Sequence, residues 1–165
     1  MKKTNSRRKS LWAPWRIEYI LSEKRGECFL CERKQVSDRK DDFMVILRAD
    51  YSFVILNAYP YNSGHLMICP YVHAGDISEL SKKALNEMMG LCLKSKKVLV
   101  DVMNPDGFNI GFNLGLAAGA GLEEHVHMHI VPRWAGDTNF MPVLGETRVV
   151  PQALKETAGL LRKHY

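Results

Sequence analysis

Residues 123–134 read Glu-Glu-His-Val-His-Met-His-Ile-Val-Pro-Arg-Trp, and this stretch constrains the fold more than any other. Histidine alternates there with long or β-branched apolar residues, the period of a half-buried strand. That geometry predicts His125, His127 and His129 on one face, with Val126, Met128 and Ile130 facing a core. Pro132 has no amide hydrogen to give a ladder and is expected to end the run. Imidazole is nucleophile, proton carrier and metal ligand near neutral pH. Three in strict alternation therefore point to chemistry rather than packing. Two readings stay open: a three-histidine metal site, or a histidine nucleophile with two supporting histidines.

A chain of 165 residues forms one domain with room for a substantial core. No apolar run reaches the length of a membrane span, and the N-terminus lacks the apolar stretch of an export signal. The expected compartment is the cytoplasm, with no membrane partner. Thiols stay reduced there, so the four cysteines are expected to bind metal or be buried rather than form disulfides. The net charge of +5 suits an anionic ligand. Much of it sits in Lys2, Lys3, Arg7, Arg8 and Lys9, read as a basic flexible tail over 1–9 ahead of a single domain, 10–165. Few aromatics are interleaved with those basic residues, which counts against a nucleic-acid partner.

Along the chain, Leu11-Trp12-Ala13-Pro14-Trp15 reads as an aromatic anchor opening a short helix to about residue 22. Residues 33–42 read as a polar loop. Strands are expected at 43–47, 52–57 and 65–69, joined by short polar turns and hence antiparallel. Asp76 with Glu79 has the form of a capping box before a long helix over about 78–103. Its wet side carries Lys82, Lys83, Glu87, Lys94 and Lys97. Asn104-Pro105-Asp106-Gly107 breaks that helix, 108–114 reads as a strand, and Pro151 opens a terminal helix to about 163. The expected class is α+β, an antiparallel sheet of about five strands flanked by helices.

Two further features carry chemistry. Leu116-Ala117-Ala118-Gly119-Ala120-Gly121 has little side-chain bulk, so its amides can approach phosphate oxygens beside the histidines. Cys28-x-x-Cys31 can supply half of a tetrahedral zinc shell, with His73 and one triplet histidine able to complete it. A redox dithiol fits less well, since no βαβ pattern surrounds the pair. Cys69 and Cys92 read as lone buried thiols.

Asn57, Gly64-His65-Leu66-Met67-Ile68 and His125-x-His127-x-His129 resemble the histidine-triad nucleotide-binding family across about residues 28–134. Leu11-Trp12-Ala13-Pro14-Trp15-Arg16 and Arg133-Trp134-x-Gly136-Asp137-x-Asn139-Phe140-Met141-Pro142-Val143 resemble its bacterial branch containing diadenosine tetraphosphate phosphorylases and hydrolases. The resemblance implies His127 as nucleophile toward an α-phosphate, His129 at the phosphate or leaving group, and His65 as the histidine that orients the triad. It implies ribose binding by Asn57 and phosphate contacts from Asn113, Gly119, Gly121 and Leu122. Phe29 and Ile55 fall at the base pocket. Asn113 matches only approximately, and Leu122 stands where the family often has a hydroxyl residue, so a contact there must come from main chain. The resemblance also implies structural zinc on Cys28, Cys31, His73 and His125, chemistry that needs no other cofactor, and a homodimer that extends the sheet. Trp134 and Asn139 are candidates for substrate contact. The alternatives are a hydrolase of other nucleotide conjugates such as adenosine phosphoramidates, a catalytic-zinc hydrolase, and a nucleotide-binding module without turnover.

Overall fold

Val45–Arg48 (β1), Ser52–Leu56 (β2) and Leu66–Pro70 (β3) form an antiparallel meander, as their short polar connections dictate. The computed structural model describes residues 28–35, 44–137 and 153–165. The tail 1–9, the aromatic anchor and its helix, Phe43, Asn139 and Pro151 lie outside the described residues. Lys82–Met103 (α2) packs on the sheet and leads to Gly107–Phe112 (β4), the far edge. Met128–Arg133 (β5) then enters between β3 and β4, giving the order β1-β2-β3-β5-β4. The expected five-stranded antiparallel α+β sheet is therefore present. The histidine strand is interior, with Ile130 paired to Leu66 on one side and Ile110 on the other. Ile68, Met88, Leu99 and Ile130 are fully buried between sheet and helix, and Phe53 is fully buried on the opposite face of the sheet.

Several boundaries move for physical reasons. The capping box at Asp76 and Glu79 caps a separate 3-10 turn, Ile77–Glu79, instead of the long helix. Leu80 is buried, and its extended backbone interrupts the helix, so Ser81 becomes the N-cap of α2 and accepts from the Ala84 N–H at 3.2 Å. At the other end Asn104 takes a left-handed conformation, φ 46°, and its N–H bonds the Val100 carbonyl. Glu87 is not simply on the wet side. Its carboxylate accepts from the Asp50 and Tyr51 amides and the Ser52 hydroxyl at 3.0, 2.8 and 2.6 Å, tying the β1–β2 turn to α2.

Strand β5 begins at Met128 rather than His125, because Val126 gives its N–H to Ala74 at 2.7 Å, outside the ladder. Nor does Pro132 end it: the strand runs on to Arg133. The ladder to β3 stops at Ile130, and the Pro132 carbonyl on that side is taken by the Asn62 amide at 3.2 Å. Within a strand a residue's N–H and C=O point the same way, so the missing donor faces a side with no strand to receive it. The terminal helix, Leu154–Arg162 (α3), seats Leu161 in the core. The expected loop 33–42 is helical up to Gln35, since Phe29–Gln35 forms α1.

Gly64, just ahead of β3, has φ +73°, and an added Cβ would lie 2.6 Å from the Met103 Sδ. Gly64→Ala is expected to lower stability by about 1–2 kcal/mol from backbone strain alone. Urea unfolding monitored by circular dichroism checks this, and an unchanged midpoint would contradict it.

Candidate active site and metal centre

A cavity of about 370 Å³ opens between α1, the ends of β2 and β5, and the small-residue loop. Phe29 from α1, Ile55 from β2, Met44 and Met67 give it an apolar end. Asn57, Asn113, Gly119, Gly121 and Leu122 line the rest, together with His127 and His129. The seven residues expected at the base, ribose and phosphates thus reach one wall. The loop adopts a 3-10 turn, Leu116–Ala118, between Gly115 and Gly119, both at positive φ.

The imidazoles are fixed by hydrogen bonds that determine where each proton sits. Carbonyl oxygens only accept, so the 2.9 Å contact between His127 Nδ1 and the His125 carbonyl places a proton on Nδ1. The His127 Nε2 is left with its lone pair. Burial pushes the pKa of His127 below the usual imidazole range, and the bond to the His125 carbonyl opposes this without cancelling it. The ring is therefore uncharged at neutral pH. His129 lies edge-on to it, ring centroids 4.7 Å apart.

His65 is fully buried and sits behind His129, off the cavity wall. The Tyr61 N–H donates to His65 Nδ1 at 3.0 Å, so the His65 proton is on Nε2. That Nε2 lies 2.9 Å from His129 Nδ1, which must accept. The His129 proton is consequently on Nε2; the Asn113 amide nitrogen 3.5 Å away is also a donor, so the two hydrogen-bond only with that amide turned to present its oxygen. A backbone amide thus sets the tautomers of two histidines in series.

His125 turns away from this pair. Its Nε2–H donates to the Pro70 carbonyl at 2.9 Å, leaving Nδ1 free of a proton. That Nδ1 lies 3.2 Å from Cys28 Sγ and 3.5 Å from Cys31 Sγ, while His73 Nδ1 is 3.4 Å from Cys31 Sγ. All four donor atoms fall within 4.8 Å of one another. A tetrahedral ion with bonds of about 2.3 Å to sulfur and about 2.0 Å to nitrogen has sulfur–nitrogen edges of about 3.5 Å. The donor set fits such an ion and leaves no open position. Among the described residues His127 and His129 join no metal-ligand cluster, so the three-histidine metal reading gives way. Cys69 and Cys92 are buried thiols apart from this centre, as expected.

Sequence reasoning missed Arg33, Met44, Tyr59 and Tyr61 on the cavity wall. Arg33 follows Phe29 by one helical turn, a signal concealed by reading 33–42 as a loop. Trp134 is not on the wall, and its Nε1–H bonds the Asn104 carbonyl at 3.1 Å. Arg133 and Asp137 form a two-pronged ion pair at 2.6 and 2.8 Å, and Asn62 donates to the same carboxylate at 2.8 Å. This ties the loop before His65 to the end of β5.

A family model described as HIT domain matches residues 38–136. The AP-4-A phosphorylase of Mycobacterium tuberculosis (strain H37Rv) is 38% identical over 161 residues, covering 92% of this chain and 81% of that protein. The bis(5'-nucleosyl)-tetraphosphatase (asymmetrical) of Schizosaccharomyces pombe is 27% identical over 121 residues, 73% of this chain and 63% of that protein. Among solved structures, a Zn-bound histidine triad family protein from Mycobacterium smegmatis superposes with TM-score 0.67 at 23% identity, covering 84% of this chain and 92% of that one. The Plasmodium falciparum diadenosine triphosphate hydrolase in complex with Cyclomarin A gives TM-score 0.61 at 23% identity, covering 74% and 76%.

The hydrogen-bond pattern makes a direct spectroscopic prediction. Long-range proton–nitrogen correlation spectra at neutral pH are expected to show the Nδ1–H tautomer at His127 and the Nε2–H tautomer at His65. His127 should gain its second proton only below the ordinary imidazole range. The opposite tautomer at His127 would refute the assignment.

Proposed function

The chain belongs to the HIT domain family, and from that membership and the cavity's geometry we propose that it cleaves dinucleoside polyphosphates, diadenosine tetraphosphate foremost, through a nucleotidyl-histidine intermediate. The observation that carries this reading is the His127 Nδ1–H bond to the His125 carbonyl. It leaves an uncharged nitrogen nucleophile in a cavity wall shared with the glycine loop. The His127 Nε2 lone pair attacks the α-phosphorus in line. A phosphorus–nitrogen bond forms, and the bond to the bridging oxygen breaks. The nucleoside triphosphate leaves with that electron pair, its oxygen receiving a hydrogen bond from His129 Nε2–H. An oxygen of inorganic phosphate then displaces Nε2, which regains its lone pair, and nucleoside diphosphate is released.

The remaining wall residues are assigned by the same logic. Amides around Gly119, Gly121 and Leu122 stabilise the equatorial oxygens as charge develops. Leu122 acts through main chain only. Asn113 contacts the phosphates beside His129, Asn57 holds the ribose hydroxyls, and Phe29 and Ile55 sandwich the base. Hydrolysis differs only in the acceptor, water in place of phosphate. Phosphorolysis is favoured because a relative matched over most of both chains is named a phosphorylase.

The ion we assign to Cys28, Cys31, His73 and His125 is zinc, in a structural role, since the four-ligand site is closed to water. A homodimer is supported by strand β4, an edge strand without a charged residue whose Ile110 is 46% exposed. Among the described residues no helix is long and apolar enough to cross a membrane.

Incubation with diadenosine tetraphosphate is expected to yield ATP and ADP only when phosphate is present. ATP and AMP in its absence would identify a hydrolase, and no cleavage under either condition would refute the reading. His127→Asn should cut kcat by about 10³-fold or more, with nucleotide binding retained and adenylate no longer trapped on the protein. Elemental analysis should find zinc in the purified chain and lose it in the Cys28→Ser, Cys31→Ser double variant; zinc unchanged in that variant would sink the metal assignment.

A further inference from the structure

The loop 58–64 carries Tyr61, whose ring meets two of the histidines. Its centroid is 4.7 Å from that of His65, tilted 39°, and 5.7 Å from that of His129, at 25° and therefore stacked. His65 and His129 are themselves 5.1 Å apart, joined by the 2.9 Å bond between Nε2 and Nδ1. Tyr61 also gives its N–H to His65 Nδ1. One residue therefore fixes the proton position of the buried ring through main chain and covers both rings with its side chain.

The backbone around Tyr61 is held from several sides. The Asn57 side chain accepts from the Tyr59 N–H at 2.9 Å, and Asn62 bonds both Asp137 and the Pro132 carbonyl. The ring is thus delivered by a fixed loop. A planar ring on this face shields the bond between the two histidines from water. Water reaching His129 Nδ1 would compete with His65 as its partner and free the ring to rotate or exchange tautomers.

We infer that Tyr61 is a positioning residue for the reaction: its ring, stacked on His129 and His65, keeps the His129 Nε2–H aimed into the cavity. The inference rests on the proposed function for its kinetic consequence, but not for its spectroscopic one. The ring face is what matters, so the hydroxyl is dispensable.

The test compares Tyr61→Ala, Tyr61→Leu and Tyr61→Phe. In the nucleotide-free protein, Tyr61→Ala should convert the single Nε2–H signature of His129 into a mixture of tautomers, and Tyr61→Phe should preserve it. With diadenosine tetraphosphate and phosphate, Tyr61→Ala should lose about 10- to 100-fold in kcat, the scale of a small misplacement of a reacting group. KM should stay near its original value, and Tyr61→Phe should restore most of the rate. Tyr61→Leu, which fills the space without a π face, should behave as Tyr61→Ala does and stands in for it if that variant does not fold. An unaltered His129 signature in both Tyr61→Ala and Tyr61→Leu would overturn the inference. So would an equal loss of kcat in Tyr61→Phe, because the hydroxyl would then be acting. Absence of turnover in the unmodified protein would refute the proposed function, while the His129 spectra would still decide the role of Tyr61.

Discussion

His125 is fully buried and held through three of its polar atoms, and the site depends on that restraint. Its Nε2–H is anchored on the Pro70 carbonyl and its Nδ1 faces the cysteine pair, while its own carbonyl receives the His127 Nδ1–H. A shift of the ring would move the carbonyl with it, and the His127 tautomer depends on that carbonyl. The candidate metal-ligand cluster and the proposed nucleophile are thus consecutive links on one short piece of backbone. Residues 126–132 are all buried, which keeps that backbone from relaxing.

The fold around it serves to bring distant segments to this short stretch. Strand β5 comes last among the five but lies inside the sheet, so the residue just before β3 brings His65 in from one side while β4 closes the other. Helix α2 makes the long crossover that this order requires, and its Glu87 secures the β1–β2 turn on the way. At the far end of β5 the Arg133–Asp137 pair and Asn62 connect the loop before His65 to the strand bearing His129. The two halves of the histidine relay are thus held together at both the ring level and the backbone level.

Much of this was legible in the residues. Period-two alternation announced the histidine strand, and Cys28-x-x-Cys31 with His73 announced most of a candidate metal-ligand set, whose fourth member, His125, came from the family resemblance. What alternation could not show was the ladder: His125 and His127 precede the strand because Val126 is paired with Ala74 instead. Periodicity also missed Ser81, because two capping signals five residues apart compete and burial of Leu80 decides between them. Tyr61 and Arg33 were invisible because each looks like an ordinary loop residue. Their importance comes from tertiary neighbours, rings and a cavity wall brought in from elsewhere in the chain.

Helix α1 spans seven residues, too few to hold a helical shape in water without outside support. It is held by Leu30 in the core and by the cysteines at Cys28 and Cys31, one at its threshold and one in its first turn. Phe29 and Arg33 hang from that support on the cavity side. Exchanging those two side chains would reshape that side of the cavity without disturbing the segment that carries His127 and His129. Under the proposed function, ligand preference and reactivity rest on separately anchored parts of the chain, and so each is free to diverge without the other.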